Sequence, residues 1–210
     1  MKRWLNLYAG LGGNRKHWTD CEVTAVEMDE KVAEIYMQQH PNDKMIIGDA
    51  HQYLLDHYQE YDGIWSSPPC PTHSKMAKAT RHPKKSYPDM RLYQEILFLQ
   101  HFFTGPWIVE NVDGYYEPLI PAKKVGRHLF WTNFDFVAVD TPTPPNFIDS
   151  VSKQDLMNWL GIHYEGNIYL NGNHCHNQAL RNCCHPDLGL QLFNAANGIP
   201  PDLEQMGLML

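Results

Sequence analysis

Residues 62–74 read D-G-I-W-S-S-P-P-C-P-T-H-S: a short apolar strand running straight into three prolines around one thiol. Proline fixes φ and offers no backbone donor. It also pushes the residue before it out of the helical region. Ser67, Pro68 and Cys70 each precede a proline, so the stretch is a stiff extended loop. Such a loop is either a structural corner or a device that aims Cys70. A cysteine that only fills space needs no rigid surroundings, although small buried filler is the usual fate of cysteine.

Outward from this strand the chain alternates short apolar runs with amphipathic ones. W-L-N-L-Y-A (4–9), E-V-T-A-V-E (22–27), M-I-I-G-D (45–49) and W-I-V-E-N-V (107–112) read as further strands. E-K-V-A-E-I-Y-M-Q-Q (30–39) and M-R-L-Y-Q-E-I-L-F-L-Q-H-F (90–102) have helical spacing, and a short helix passes through Tyr53 and Leu54. H-L-F-W-T-N-F-D-F-V-A-V (128–139) reads as a hairpin or two adjacent strands. Repeated strand-then-helix units predict an α/β fold: a mostly parallel sheet with helices on both faces. After Asp140 the character changes. T-P-T-P-P-N (141–146) is a turn or linker. Ser152 is placed to cap a helix running to Leu160, residues 161–186 lack periodicity, and helical character returns over 187–196 and again after Pro201. The division expected is a domain over 1–140 and a small irregular region over 141–210.

With 210 residues, 43% of them hydrophobic and 20% charged, the chain suits one α/β domain with an appendage. It carries no apolar run long enough to span a bilayer and no signal-peptide pattern, so the expected location is cytoplasmic. Five cysteines, at 21, 70, 175, 183 and 184, argue against a disulfide framework. The net charge of −7 does not by itself suggest nucleic acid. Yet Lys75, Lys78, Arg81, Lys84, Lys85 and Arg91 cluster just after Cys70 against a single acid, Asp89. That is a solvated face or an electrostatic footprint.

Open α/β sheets bind ligands at the carboxyl ends of their strands. The first strand delivers A-G-L-G-G-N (9–14), too compact for the dinucleotide fingerprint but suited to close backbone approach. The second delivers Glu27, placed to grip a ribose or to be an ordinary strand-end acid. The third delivers Gly48-Asp49-Ala50, where Asp49 either meets a base amino group or caps a helix. Together these suggest an adenosyl ligand. The fourth strand delivers Cys70 and the fifth Glu110. A glutamate ending an apolar strand is costly to bury without a partner or a task. Thiol and carboxylate at neighbouring strand ends make a candidate nucleophile and acid.

In this order the motifs resemble the DNA (cytosine-5)-methyltransferase family. L-Y-A-G-L-G-G (7–13) is similar to its first motif, with Tyr8 in place of Phe; V-E-M-D (26–29) and G-D-A (48–50) look like the second and third. P-P-C-P-T-H-S (68–74) matches the catalytic Pro-Cys motif and E-N-V (110–112) the Glu-Asn-Val motif, over roughly residues 4–134 in all. The resemblance implies a Rossmann-like S-adenosylmethionine-dependent methyltransferase sheet, with residues 141–210 as a small target-recognition region. It implies that Cys70 attacks C6 of a flipped-out cytosine, that Glu110 holds N3, and that C5 takes the methyl group. It places S-adenosylmethionine against Tyr8, Gly10, Gly12, Gly13, Glu27, Met28, Asp49, Ala50 and Pro69, and gives Asn111 the task of bracing the loop. Double-stranded DNA is the implied partner of a monomeric enzyme from a phage, prophage or bacterium. Ser74, Lys75, Lys78, Arg81, Lys84, Lys85 and Arg181 are its implied contacts.

The chain departs from the family in three places. The family carries Gln-x-Arg-x-Arg before a strand like 125–134; here Gly126 and His128 occupy the arginine phases, and Arg127 falls between them, on the opposite face of a strand. A shifted register, or His128 taking part of the work, restores the role, and Arg127 stays a catalytic candidate. The C-terminal region is short, and F-N-A-A-N-G-I-P-P (193–201) only faintly echoes the family's closing motif. H-C-H (174–176) and C-C-H (183–185) are soft ligands without C-x-x-C spacing, so no metal is expected and a polar recognition loop is the competing reading. The alternatives to DNA methylation are a tRNA cytosine-5 methyltransferase, whose typical Cys-Phe-Thr is missing from the sequence, and a silent paralogue that binds DNA or a partner.

Overall fold

A computed structural model describes residues 1–75, 87–170 and 175–201. Seven strands form one sheet: β1 (Lys2–Leu7), β2 (Cys21–Glu27), β3 (Lys44–Ile47), β4 (Gly63–Ser66), β5 (Trp107–Val112), β6 (Lys123–Val125) and β7 (His128–Thr132). Their order is β3-β2-β1-β4-β5-β7-β6. The first five run parallel, and β7 is antiparallel to both β5 and β6. This is the α/β, Rossmann-like architecture expected.

The connecting helices are α1 (Glu30–Gln39), α2 (Ala50–His57) and α3 (Arg91–Phe102), followed by α4 (Lys153–Leu160), α5 (Gln178–Arg181) and α6 (Pro186–Ala196). Their starts are written locally. Asp29 accepts from Lys31 N and Val32 N, and Asp49 from His51 N and Gln52 N. Ser152 accepts from Asp155 N, and Pro186 opens α6. Each side-chain cap satisfies donors that the first helical turn leaves unpaired, worth about 1 kcal/mol.

Both sheet faces are covered, which is why the parallel strands read as nearly unbroken apolar runs. Leu5, Leu7, Ile64 and Val109 face a core closed by Leu54 of α2 and Leu92, Ile96 and Leu99 of α3. Trp4, Val23, Trp65, Ile108 and Phe130 face the other way and are closed by Leu188, Leu192 and Phe193 of α6. Trp18 stacks on Phe193 at 4.7 Å, and Trp4 lies 5.4 Å from Trp18. Such ring pairs add about 0.5–1.5 kcal/mol each beyond the area they bury. Leu11, Val32 and Ile35 join Val151, Leu156, Leu160 and Ile162 in a further cluster. The C-terminal segment therefore roofs the sheet.

The reading of 128–139 as a hairpin is corrected in one respect. The hairpin lies upstream, between β6 and β7, with Gly126 at φ +56 in its turn, and residues 133–139 form no strand. β6 is only three residues long and begins with two lysines, so it carries no apolar signal. The helix expected after Pro201 lies outside the described residues.

Candidate functional site

The strand order reverses at β1, whose neighbours β2 and β4 lead to opposite ends of the sheet. A crevice at the carboxyl ends of such strands is the usual ligand site of open α/β sheets. Here residues 8–10, 27–29 and 67–70 stand at the carboxyl ends of β1, β2 and β4.

The Cys70 loop is held at several points. Ser67 N donates to Leu7 O at 3.3 Å, and Trp65 Nε1 donates to Ser67 Oγ at 2.9 Å. Asn111 Nδ2 donates to the buried Pro68 carbonyl at 3.0 Å, tying the end of β5 to the loop. Beyond Cys70 the chain turns back, with His73 N and Ser74 N both donating to Cys70 O at 2.9 and 3.0 Å. His73 is buried, and its Nδ1 meets Tyr116 Oη at 2.6 Å. The prolines restrict the loop before any bond forms, and these bonds fix its direction.

Burial pushes the Cys70 thiol up to about 11; the charge of Glu110 adds to the shift and Arg127 opposes it. Glu110 is buried. Burial alone would raise its carboxyl, but His128, Ser67 and Arg127 outweigh this and hold it below its ordinary value. The His128 contact is direct: Nδ1 lies 2.5 Å from Glu110 Oε1, with both side chains almost fully enclosed. The register explains the meeting. Val112 pairs with His128 and Glu110 with Phe130, so His128 is the diagonal neighbour of Glu110 on the same sheet face. Arg127 leaves the sheet. Its Nη2 donates to Cys183 O at 2.9 Å and its guanidinium covers the Phe147 ring at 4.7 Å. Only its charge reaches Cys70 and Glu110.

On the β1–β3 side, Glu27 is fixed by three backbone donors. Gly10 N reaches Oε2 at 2.9 Å, while Met28 N and Asp29 N reach Oε1 at 2.8 and 2.9 Å. Gly10 has φ +55, and a Cβ built there would meet nothing nearer than Tyr8 O at 4.0 Å. The backbone is therefore open beside an oriented carboxylate, which suits a ligand presenting hydroxyls. Met28 and Pro69 are exposed at the rim, and Asp49 is exposed with Oδ1 capping α2. Three expected positions face inward instead. Ala50 packs into the core, a Cβ at Gly12 would lie 2.5 Å from His40 Nε2, and one at Gly13 would lie 2.4 Å from Cys184 O. Gly12 and Gly13 are thus required for packing of the loop.

A buried acid on α3 was not singled out from the sequence. Glu95 is fully enclosed and accepts from Tyr8 Oη at 2.5 Å and Ser66 Oγ at 2.6 Å, with His51 Nδ1 at 2.9 Å. It ties the end of β1, the end of β4 and the start of α2 together beneath the crevice. The signal was present: Glu95 falls on the apolar stripe of α3 with Leu92, Ile96 and Leu99.

Lys75 and Lys124 both pair with Asp113, at 2.8 and 2.7 Å, holding its carboxyl below its ordinary value. Ser74 forms an isolated bridge with Gly114. Arg181 Nη1 contacts Cys175 Sγ at 3.4 Å. Lys78, Arg81, Lys84 and Lys85 lie outside the described residues, as does His174. Among the described residues, no three potential metal ligands converge. Cys183 and Cys184 point into different cores. No described helix is long and apolar enough to cross a membrane. Cavities of about 390 and 690 Å³ open elsewhere, over Trp107–Phe136 and over Asp135–Pro201, and neither is lined by Cys70 or Glu110.

Comparison with known proteins places this site in a family. No curated protein matches the chain. Among solved structures it is similar to a prophage-encoded protein of E. coli described as a DNA modification methyltransferase, at 18% identity over 56% of this chain and 34% of that one, with a TM-score of 0.40. It is also similar to a mutant of Spodoptera frugiperda DNMT2 (25% identity, 55% of this chain and 37% of that one, TM-score 0.40) and to S. pombe Dnmt2 methyltransferase (21%, 55% and 37%, TM-score 0.40). The chain spans little more than a third of the length of each. The family model for C-5 cytosine-specific DNA methylase matches residues 2–118, more than half of the sequence. The chain belongs to the C-5 cytosine-specific DNA methylase family, whose cofactor is S-adenosylmethionine.

Proposed function

We propose that the chain methylates C5 of cytosine in double-stranded DNA through a covalent bond between Cys70 Sγ and C6. The observation that carries this reading is the placing of Cys70 and Glu110 after adjacent parallel strands, near enough for the Glu110 charge to raise the thiol, on a loop braced by Asn111. A sulfur aimed by restricted backbone loses little entropy on reaching its attack geometry. The enclosed Glu110 is matched to a ring nitrogen that gains charge when sulfur adds to C6. Such chemistry needs the base outside the helix stack, so the target nucleotide is flipped.

S-adenosylmethionine supplies the electrophilic methyl group that C5 takes. The residues present fit it. Glu27 would hold the ribose hydroxyls, Gly10 leaves room for close approach, and Tyr8, Met28 and the exposed Asp49 would hold the adenosyl portion. Gly12, Gly13 and Ala50 shape the pocket from behind, and Pro69 carries the nucleophile loop past it. Lys75 and the cations that follow it in the sequence, Lys78, Arg81, Lys84 and Lys85, would supply contacts to the phosphate backbone. Arg127 contributes charge at Cys70, not contact with the base.

The test is a duplex containing 5-fluorocytosine, incubated with the protein and S-adenosylmethionine. Fluorine at C5 cannot leave as a proton, so the protein stalls as an adduct at Cys70, read by mass spectrometry of the peptide. Absence of an adduct across varied duplexes sinks the reading. An adduct with tRNA but not with duplex DNA transfers the chemistry to RNA.

A further inference from the structure

We propose that His128 and Glu110 work as one proton-sharing pair, with His128 the positioning residue whose imidazole supplies the proton that Glu110 passes to N3 of the cytosine. The inference rests on the reaction proposed above and concerns a side chain that stands where the family carries an arginine.

Three observations carry it. The contact is short, 2.5 Å between Nδ1 and Oε1, and both partners are enclosed, at 3% and 6% side-chain exposure. An ionised carboxylate only accepts, so Nδ1 bears the proton in that state. The cross-strand register places the imidazole on the face where Glu110 points, and Phe130 flanks it at 6.0 Å between rings. Third, the remaining groups around the pair leave it as the local proton store. Arg127 stays cationic and is committed to Cys183 O. The Cys70, Cys183 and Cys184 thiols are all raised by burial, Cys70 to about 11 and Cys183 to about 12, and so stay protonated. Asp140 faces Gly126 from the far side of the turn, and Ser67 donates to Glu110.

Cys70 first loses its proton to solvent, and the small thiolate fraction so formed is the attacking species. The transfer requires His128 to enter with protons on both ring nitrogens and Glu110 to enter ionised. When the Cys70 thiolate bonds to C6, the C5=C6 electrons shift to form C4=C5, and the C4=N3 pair moves onto N3. The Nδ1 proton passes to Glu110 and from Glu110 to N3, leaving the imidazole neutral and the carboxylate ionised. After C5 has been methylated and has lost its proton to a base, the C5=C6 bond returns, the thiolate leaves, and the N3 proton goes back to the pair. An arginine in this place could hold the carboxylate but could not give up a proton near neutral pH.

The experiment measures the rate of 5-fluorocytosine adduct formation from about pH 5 to about pH 8, where histidine charge changes. Each rate is divided by the Cys70 thiolate fraction, obtained by alkylation of the same protein. The wild type is expected to show a break of one unit in the slope of log rate against pH. His128→Asn keeps an N–H donor of similar reach but cannot titrate; it is expected to lose the break and to react at least tenfold more slowly at low pH. His128→Arg is expected to lose the break too. In parallel, the imidazole resonances of His128 followed by NMR in the protein alone should titrate at lower pH in Glu110→Gln. A break that persists in His128→Asn, a wild-type line without one, or a His128 titration indifferent to Glu110→Gln overturns the proposal while leaving the methylation reading intact. No adduct from the wild type overturns both.

Discussion

Tyr8→Phe isolates one hydroxyl whose removal should be felt far beyond its size. Tyr8 follows β1 in the left-handed region, at φ +53, a conformation that costs a non-glycine residue about 1 kcal/mol. Its hydroxyl donates at 2.5 Å to Glu95, a carboxylate with no solvent exposure. Burial and the Glu95 charge push the phenol far above its ordinary value, so it donates at any working pH. Hydrogen bonds to charged groups contribute about 1.5–3 kcal/mol. Ser66 and His51 still hold the carboxylate in the variant, so the loss stays below the 3–5 kcal/mol typical of a stranded buried charge. We expect about 2 kcal/mol. For a chain of this size that is a fall in Tm of about 4–8 °C. Urea unfolding should show a lower midpoint at unchanged slope. In a Glu95→Gln background the same substitution should cost only about 1 kcal/mol, the value of a neutral bond. A cost under about 0.5 kcal/mol, or an equal cost in both backgrounds, would show that Glu95 does not hold Tyr8.

Gly10→Ala and Gly12→Ala should separate binding from folding. The first should leave folding within about 1 kcal/mol yet weaken S-adenosylmethionine binding, measured by calorimetry, because its Cβ enters open space beside Glu27. The second should lose more than about 2 kcal/mol of stability, because φ is +78 and His40 and Tyr36 lie within 3 Å of the new carbon; equal stability in the two would refute the assignment. Cys70 should alkylate about tenfold faster per pH unit through neutrality and level off near pH 11, and Glu110→Gln should lower that midpoint; a midpoint at or below the ordinary thiol value of 9.0 would contradict the burial argument. The bond to Glu95, more than offsetting partial burial, raises His51. A raised base stabilises the fold fully below about pH 6.5 and loses that contribution as pH climbs through its folded value. The stability difference between wild type and His51→Asn should shrink over that climb, and a difference constant from pH 5 to 9 would rule the ion pair out.

Many strands and helices of the first 112 residues were legible because the sequence marks where they begin or end. Asp29 and Asp49 cap the helices that the glycine-rich and apolar runs lead into, and α1 and β5 fall on the residues read from the pattern. Cys70 and Glu110 were legible as strand-end residues because the side chains there are the wrong kind for their surroundings. What stayed hidden depends on pairing between distant segments. β6 is too short and too charged to register, and only its pairing with β7 turns Gly126 and Arg127 into a hairpin corner. His128 could be suspected from its phase in the arginine motif, but its contact with Glu110 needs the β5–β7 register. Glu95 was visible as an acid on an apolar stripe, but its three partners come from segments 29, 44 and 87 residues away.

The same dependence on distant pairing decides what the short C-terminal segment is for. Val151, Leu156, Leu160 and Ile162 close a cluster begun by Leu11, Val32 and Ile35, and Leu188, Leu192 and Phe193 cover Trp4, Trp18 and Trp65. Fully burying a side chain of this kind is worth about 1.5–3 kcal/mol, so these seven C-terminal side chains contribute on the order of 10 kcal/mol or more of burial before the entropy of ordering the segment is set against it. Asn177 and His185 are enclosed as well, bonded to Val151 O and Trp159 O at 3.1 and 2.9 Å. Side chains committed in this way cannot also read a groove.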